Sequence, residues 1–226
     1  KEVAAAELAG EKAEKYVLWL GLGAVAILAA VVYRGYRRKK EDNELILEQK
    51  EKVELQKLLV EEKNKEILDS INYAKRLQDA ILPSPDFMQS HLKDSFVLYL
   101  PKDIVAGDFY WMEVIDDTIY LAAADCTGHG VPGAMVSVVC SNALTKAVLE
   151  QKLTDPGPIL DKTRALVSEH FDKGDGEVKD GMDISFCTLN LRDNTFRWAG
   201  ANNPLWLIRD NEILEFKANK QAIGKV

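Results

Sequence analysis

A chain of 226 residues, 47% apolar and 29% charged, has room for one or two domains with a buried core, which excludes a disordered or fibrous chain. Its net charge of −7 is unevenly spread, with residues 1–40 at +4, residues 41–85 at −4 and residues 86–226 at −7. So acidic a C-terminal part excludes nucleic acid as its partner, because a phosphate backbone requires a basic footprint.

In chain order, residues 1–15 read as a helix-like end of an upstream region outside the membrane. Residues 16–33 then run eighteen positions without a charge, within the roughly 17–25 that cross a hydrocarbon core. Tyr16, Trp19, Tyr33 and Tyr36 lie near the two ends of this run, as in an aromatic belt, and Arg34, Arg37, Arg38, Lys39 and Lys40 follow it. By the positive-inside rule the basic end faces the cytoplasm, which predicts a single-pass protein of the cytoplasmic membrane with residues 41–226 in the cytosol. A secretory signal peptide has its basic cluster before the apolar run, not after it.

Residues 34–82 read as a basic flank followed by a helical linker, and residues 41–82 contain no glycine or proline. Ile46, Val53, Val60, Ile67, Ala74 and Ile81 recur every seven residues, the spacing of a coiled-coil seam. The companion seam, Lys50, Lys57, Asn64, Ile71 and Gln78, is mostly polar, and polar residues there fix register at a cost in stability. The expectation is a parallel homodimer through residues 41–82; the competing reading is a solvated single helix docked on its own domain. Pro83-Ser84-Pro85 ends the helix, because proline disfavours the helical conformation in the residue before it.

Beyond the prolines the pattern becomes strand-like at 96–100, 108–115 and 118–124, the last two joined by Asp116-Asp117 as a hairpin. Helix-like segments follow at about 133–152 and 158–172, the second with Pro158 in its first turn. Strands return at 184–191, 195–198, 205–209 and 212–216, with Arg192-Asp193-Asn194 and Asp210-Asn211 as turns. Neighbouring hairpins with helices grouped between them predict an α+β domain of antiparallel sheets covered by helices. Residues 173–180 form a charged, glycine-bearing loop without a readable motif.

The chemistry concentrates in Asp125-Cys126-Thr127-Gly128-His129-Gly130-Val131-Pro132-Gly133-Ala134. A carboxylate at the tip of a strand precedes a glycine-rich turn into a helix, which pairs a hard-cation ligand with backbone N–H donors for a phosphate. Seventeen residues upstream, Asp108 in Gly107-Asp108-Phe109-Tyr110-Trp111 supplies a second lone carboxylate, and the two are expected to share a divalent site. Gly128, Gly130 and Gly133 also match the dinucleotide fingerprint by spacing. That fingerprint needs a parallel strand ending in an acidic residue about 20 positions on. Asp155 lies in a Pro-Gly turn instead, with no strand before it.

Three stretches in succession, Pro101-Lys102-Asp103-Ile104-Val105-Ala106-Gly107-Asp108-Phe109-Tyr110-Trp111, the 125–134 loop, and Ala199-Gly200-Ala201-Asn202-Asn203-Pro204-Leu205, resemble signatures of the SpoIIE-type serine phosphatases. That group is the bacterial branch of the PPM metal-dependent protein phosphatases. Asn72-Tyr73-Ala74-Lys75-Arg76-Leu77-Gln78-Asp79-Ala80-Ile81-Leu82-Pro83 resembles the helical lead-in to their domain, so the likeness spans residues 67–226. It implies an α/β/β/α sandwich over residues 83–226. It also implies a pair of Mn²⁺ or Mg²⁺ ions activating a water for direct attack on phosphoserine or phosphothreonine, without a phosphoenzyme. The implied substrate is a phosphorylated regulatory protein such as an anti-sigma-factor antagonist.

Carried onto this chain, the resemblance puts Asp108 and Asp125 at catalytic, metal-ligand positions and the main-chain carbonyl of Cys126 at a third. Gly128, His129 and Gly130 become candidate phosphate contacts, with His129 either serving the turn or orienting a phosphate. Ala106 stands where the family more often has serine or glycine. The family also carries two aspartate motifs beyond the one matching residues 199–205. The sequence stops short of both at Val226, so a fragment with about half of the ligands is expected. Asp180 and Asp183 do not fall on those positions and read as a turn into the strand 184–191.

The spacing argues against a cysteine-phosphatase mechanism, because the residues six after Cys126, Cys140 and Cys187 are Pro132, Lys146 and Asp193 rather than arginine. Without Cys-x-x-Cys spacing, the three cysteines provide neither a zinc cluster nor a disulfide framework and fit a reducing cytosol. Two other classes remain open on sequence alone, a non-catalytic phosphoprotein-binding module and a membrane-tethered coiled-coil scaffold.

Overall fold

The computed structural model describes residues 2–172 and 180–224. All of the motif-free loop at 173–180 except Asp180 lies outside the described residues. The chain divides into two compact units, Lys1–Lys65 and Glu66–Val226.

The first unit is built from helix α1, Glu2–Asp79, up to residue 65. The segments expected separately at 16–33, 34–40 and 41–82 are one continuous helix, since residues 36–79 contain neither glycine nor proline to break it. Intrahelical pairs four residues apart, Glu48 with Lys52 at 2.6 Å and Arg37 with Glu41 at 3.8 Å, line its polar surface. An eighteen-residue stretch of this helix has a mean hydropathy of 2.2, long and apolar enough to cross a membrane. The heptad positions Ile46, Val53 and Val60 are exposed along it.

The second unit begins with the last turns of α1. There Ile71, Ala74 and Lys75 are half-buried and Gln78 is buried, a stripe at helical spacing that faces its own domain. The helix ends at Asp79 rather than at 82. Ile81 N–H donates to Gln78 O and Leu82 N–H to Asp79 O, tightening the last turn before Pro83. A short helix the sequence pattern did not suggest, α2 (Pro85–His91), follows at once, with the Ser84 hydroxyl accepting from Phe87 N–H as its N-cap. Residues 96–100, expected as a strand, pair with no strand among the described residues; Phe96, Leu98 and Leu100 are exposed.

Strands β1 (Phe109–Ile115), β2 (Thr118–Cys126), β3 (Gly181–Asn190) and β4 (Thr195–Ala201) form one antiparallel sheet in sequence order. A wholly antiparallel ladder excludes the dinucleotide-binding reading of the glycine loop, which requires parallel strands. Asp116 in the β1–β2 hairpin and Asn194 in the β3–β4 hairpin both adopt positive φ, as expected of hairpin residues. Strands β5 (Leu205–Arg209) and β6 (Glu212–Phe216) make a separate hairpin through Asp210 and Asn211, at φ +53 and +61. The two-residue β7 (Ile223–Gly224) pairs with the start of β3.

Between β2 and β3 run α3 (Gly130–Thr145), which continues into a π turn at Lys146–Glu150, and α4 (Pro156–Asp172). Both lie on one face of the sheet, where Phe109, Trp111, Ala122, Ala124, Ile184 and Phe186 meet Val136, Leu144, Ile159 and Val167 in the core. Although α3 and its π turn are also apolar enough to span a membrane, with mean hydropathy 1.3, that stretch is 56% buried as a core helix. Trp111 packs its ring 6.2 Å from that of Phe186 and donates its indole N–H to Thr145 Oγ1 at 2.9 Å.

Phe186, fully buried at the centre of this layer, is expected to carry the largest single share of its packing. Phe186→Ala should cost about 3–5 kcal/mol in urea unfolding followed by tryptophan fluorescence.

Candidate active site

Strand register assembles the site. The β1–β2 ladder pairs Phe109 with Ala124, so one step further Asp108 stands opposite Asp125. Asp125 is in turn paired with Asp183 of β3. One step past the pair Ile184 and Ala201, Asp183 stands opposite Asn202, whose amide donates to its carboxylate at 2.7 Å. Side chains directly opposite in an antiparallel ladder share a face. Phe109, Ala124, Ile184 and Ala201 point to the helices, so Asp108, Asp125, Asp183 and Asn202 form a row on the other face, at one end of the sheet.

Asp183 is therefore inside β3 and not in a turn, because β3 begins at Gly181, three residues earlier than the pattern suggested. Its strict alternation with Ser185 and Cys187 was the signal that would have placed it. Among the described residues, no three His, Cys, Asp or Glu side chains converge on one point. The converging pair is Asp108 and Asp125. Partial burial pushes the Asp125 carboxyl above the ordinary carboxylate range, and the hydrogen bond and negative charge of Asp108 push it the same way.

Two glycines permit this approach. A Cβ on Gly107 would fall 2.7 Å from the Gly128 carbonyl oxygen and 3.0 Å from that of Cys126. A Cβ on Gly133 would fall 2.5 Å from the same Gly128 oxygen and 3.1 Å from Gly107 Cα. The segment carrying Asp108 thus lies directly against the loop after Asp125, with the Cys126 carbonyl beside Gly107. Gly128 and Gly130 take φ of +84 and +61, which turns the chain from β2 into α3. Thr127 pins the loop from the other side. Its N–H donates to Gly181 O at 3.0 Å and its hydroxyl to Asp180 Oδ1 at 2.6 Å, which gives Asp180 a structural role.

His129 occupies the N-cap position of α3 but its side chain makes no capping bond. Its Nδ1 lies 2.9 Å from Asp103 Oδ2 instead. A carboxylate only accepts, so Nδ1 carries the hydrogen and Nε2 is the nitrogen left for a ligand. Asp103, inside a quoted motif yet unassigned by it, is a site residue the sequence reading missed. Cys126 is buried, and its hydrogen bond with Cys140 and its burial push the thiol far up, so it cannot serve as a thiolate nucleophile.

From Asp108 a groove of about 440 Å³ extends over the face opposite α3 and α4, lined by Met88 of α2, Tyr99, Tyr110, Ala123 and Ser185 among others. Tyr99 donates its hydroxyl to the Asp108 carbonyl at 3.1 Å and meets Tyr110 edge-on, holding residues 96–100 along the groove.

The family model for Stage II sporulation protein E (SpoIIE) matches residues 115–224, a range that includes Asp125 and the glycine loop and leaves Asp108 just outside. The solved SiaA-PP2C domain of Pseudomonas aeruginosa is 31% identical, with a TM-score of 0.65, over 71% of this chain and 64% of that one. This chain carries a SpoIIE-type PPM phosphatase domain. More distant is the PP2C phosphatase domain of the cell fate determinant SpoIIE from Bacillus subtilis, solved with a fragment of its regulatory domain. It is 19% identical, with a TM-score of 0.43, over 53% of this chain and 33% of that one. A Stage II sporulation E family protein from Thermanaerovibrio acidaminovorans is 18% identical, with a TM-score of 0.40, over 47% of this chain and 50% of that one. The chain spans less than two thirds of the length of each of these structures. A comparison with curated proteins found no match. The PP2C-like fold and the α+β layout expected from sequence are thus those of the SpoIIE-type domain.

The raised Asp125 carboxyl has a direct consequence for stability in chelator. The native state holds that proton more tightly than the unfolded chain does. Its contribution is therefore present below the ordinary carboxylate pKa and is lost as pH rises through the raised value. At neutral pH, metal-free Asp125→Asn should melt above the parent, and the gap should close as pH falls through the raised pKa in thermal unfolding.

Proposed function

We propose that the chain is a metal-dependent protein phosphatase acting on phosphoserine or phosphothreonine. The observation that carries this is the pair of carboxylates, Asp108 and Asp125, held against each other at the mouth of a glycine loop in a SpoIIE-type domain. Two facing carboxylates are hard-oxygen donors, which fit Mn²⁺ or Mg²⁺ rather than a soft metal, and the Cys126 carbonyl, another hard oxygen, lies against the neighbouring Gly107. When bound, such an ion supplies the charge that activates water and polarises a phosphoryl oxygen. Asp108 and Asp125 would hold it, with Cys126 contributing its carbonyl. The backbone N–H groups of Gly128, His129 and Gly130, at the positive end of α3, would receive phosphate oxygens. Asp103 fixes the His129 ring through Nδ1, which leaves Nε2 as the nitrogen that would serve that phosphate.

The substrate class that suits this site is a phosphorylated regulatory protein, with the acidic domain in the cytosol and the apolar stretch of α1 as its membrane anchor. The exposed heptad positions Ile46, Val53 and Val60 support a homodimer through the linker. A non-catalytic phosphoprotein-binding module is the second reading, favoured by one observation: the two-carboxylate convergence among the described residues is smaller than a full di-metal site.

Phosphate release from a phosphoserine peptide, measured with and without Mn²⁺, distinguishes the two. The phosphatase reading expects Mn²⁺-dependent release that drops by about two orders of magnitude or more in Asp125→Asn, as for the loss of a charge-stabilising group. Binding of the peptide without release would support the module instead. For the dimer, single cysteines placed across residues 46–67 should crosslink with maxima at 46, 53, 60 and 67. A flat profile would remove the parallel seam.

A further inference from the structure

One buried polar side chain lies outside the family signatures' assigned roles yet touches both halves of the site. Gln78, 4% exposed, sits on the last turn of α1. Its carboxamide takes both backbone groups of Ala106. Oε1 accepts from Ala106 N–H at 3.0 Å, and Nε2 donates to Ala106 O at 2.6 Å. The second Nε2 hydrogen goes to Ser137 Oγ at 2.9 Å, and the Ser137 hydroxyl donates to Ala134 O at 2.8 Å. Ala106 is two residues before Asp108, while Ala134 and Ser137 lie in the first two turns of α3, directly after the glycine loop that leaves Asp125.

We infer that Gln78 is a positioning residue that sets the spacing of Asp108 and Asp125 by tying their two segments to the end of α1. The inference rests on the metal-site reading above and adds a residue to it. A carboxamide with all three of these bonds made leaves little freedom to either segment, and the close approach of Gly107 to Gly128 requires that they move together. No other side-chain type offers an acceptor and two donors from one flat group at this distance from a helix. Leucine would leave Ala106 N–H and O unpaired inside the protein, and glutamate would set a carboxylate oxygen against Ala106 O. A shift of the last turn of α1 therefore changes the site directly, through one side chain.

The test compares the full chain in detergent with Gln78→Leu, Gln78→Glu and Val167→Ala. The last removes fully buried volume from α4 and serves as a stability control. Two readouts are taken at a temperature where all four are folded: hydrogen exchange in chelator, and Mn²⁺ affinity by titration. The inference expects faster exchange in both Gln78 variants within 103–110 and 127–137. It also expects Mn²⁺ binding about tenfold or more weaker, the scale for residues that orient a metal ligand. Val167→Ala should lower the melting temperature and leave Mn²⁺ affinity unchanged. Unchanged affinity in the Gln78 variants, or faster exchange spread evenly over the domain, would overturn the positioning role. A parent chain that binds no Mn²⁺ would instead overturn the metal reading, and the exchange pattern would still decide whether Gln78 holds the two segments.

Discussion

The antiparallel register of β1, β2 and β3 is the constraint on which the site depends. Because Phe109 pairs with Ala124, Asp108 must face Asp125, and because Ala124 pairs with Ile184, Asp183 must lie beside them. A slip of one residue would turn every one of these carboxylates into the core and bring Phe109, Ala124 and Ile184 out to solvent. The hydrophobic core under α3 and α4 thus fixes the location of the acidic row on the opposite face. Packing energy is spent on holding the two carboxylates together, and the Asp125 carboxyl is raised first by its partial burial and then by the hydrogen bond and charge of Asp108.

Like-charge placement of this kind needs support at the backbone level, and the glycines provide it. Gly107 and Gly133 are required by contact, not by torsion: each would drive a Cβ to within 2.7 Å of the Gly128 oxygen. Gly128 and Gly130 are required by torsion, at positive φ. The four glycines act at two separate levels, and the Gly-x-Gly-x-x-Gly spacing arises here from a turn and a close approach that have nothing to do with a dinucleotide.

Much of this was legible in the chain. Apolar, strand-like runs located β1, β2, β5 and β6 to within two residues, and Asp116, Asn194, Asp210 and Asn211 marked hairpin turns because short polar side chains tolerate the left-handed region. Asp108 and Asp125 stood out as lone carboxylates in apolar runs, and the structure brings them together. What escaped was whatever depends on pairing across long separations. Asp183 looked like part of a turn because Asp180-Gly181 resembles one; its alternation with Ser185 and Cys187 hints at the strand, and the ladder to Cys126 and Asp125 extends the strand back through it. Asp103 joins His129 over 26 positions and Gln78 joins Ala106 over 28, distances at which no local pattern speaks. Residues 96–100 failed in the opposite sense, since a continuous apolar run reads as a strand but has no ladder partner among the described residues.

Gln78 also changes the meaning of the polar heptad seam. In a coiled coil, a glutamine at such a position would fix register between two chains at a cost in stability. Here its hydrogen bonds are all made within its own domain, to Ala106 and Ser137, and the flanking Ile71 and Ala74 are half-buried on the same side. The seven-residue period therefore serves two surfaces in turn. Ile46, Val53 and Val60 present it to solvent, where a second helix can use it, and Ala74 presents it to the sheet domain, with Ile81 half-buried just past the helix end. A helix whose apolar period is continuous but whose partners change along its length has no local signal at the changeover. The polarity of the companion seam gives the division away: lysines at 50 and 57 suit an open surface, whereas Ile71 and Gln78 suit a docked one. A residue that costs a coiled coil stability makes three hydrogen bonds inside its own domain, and so the sequence that ends the linker is already part of the site.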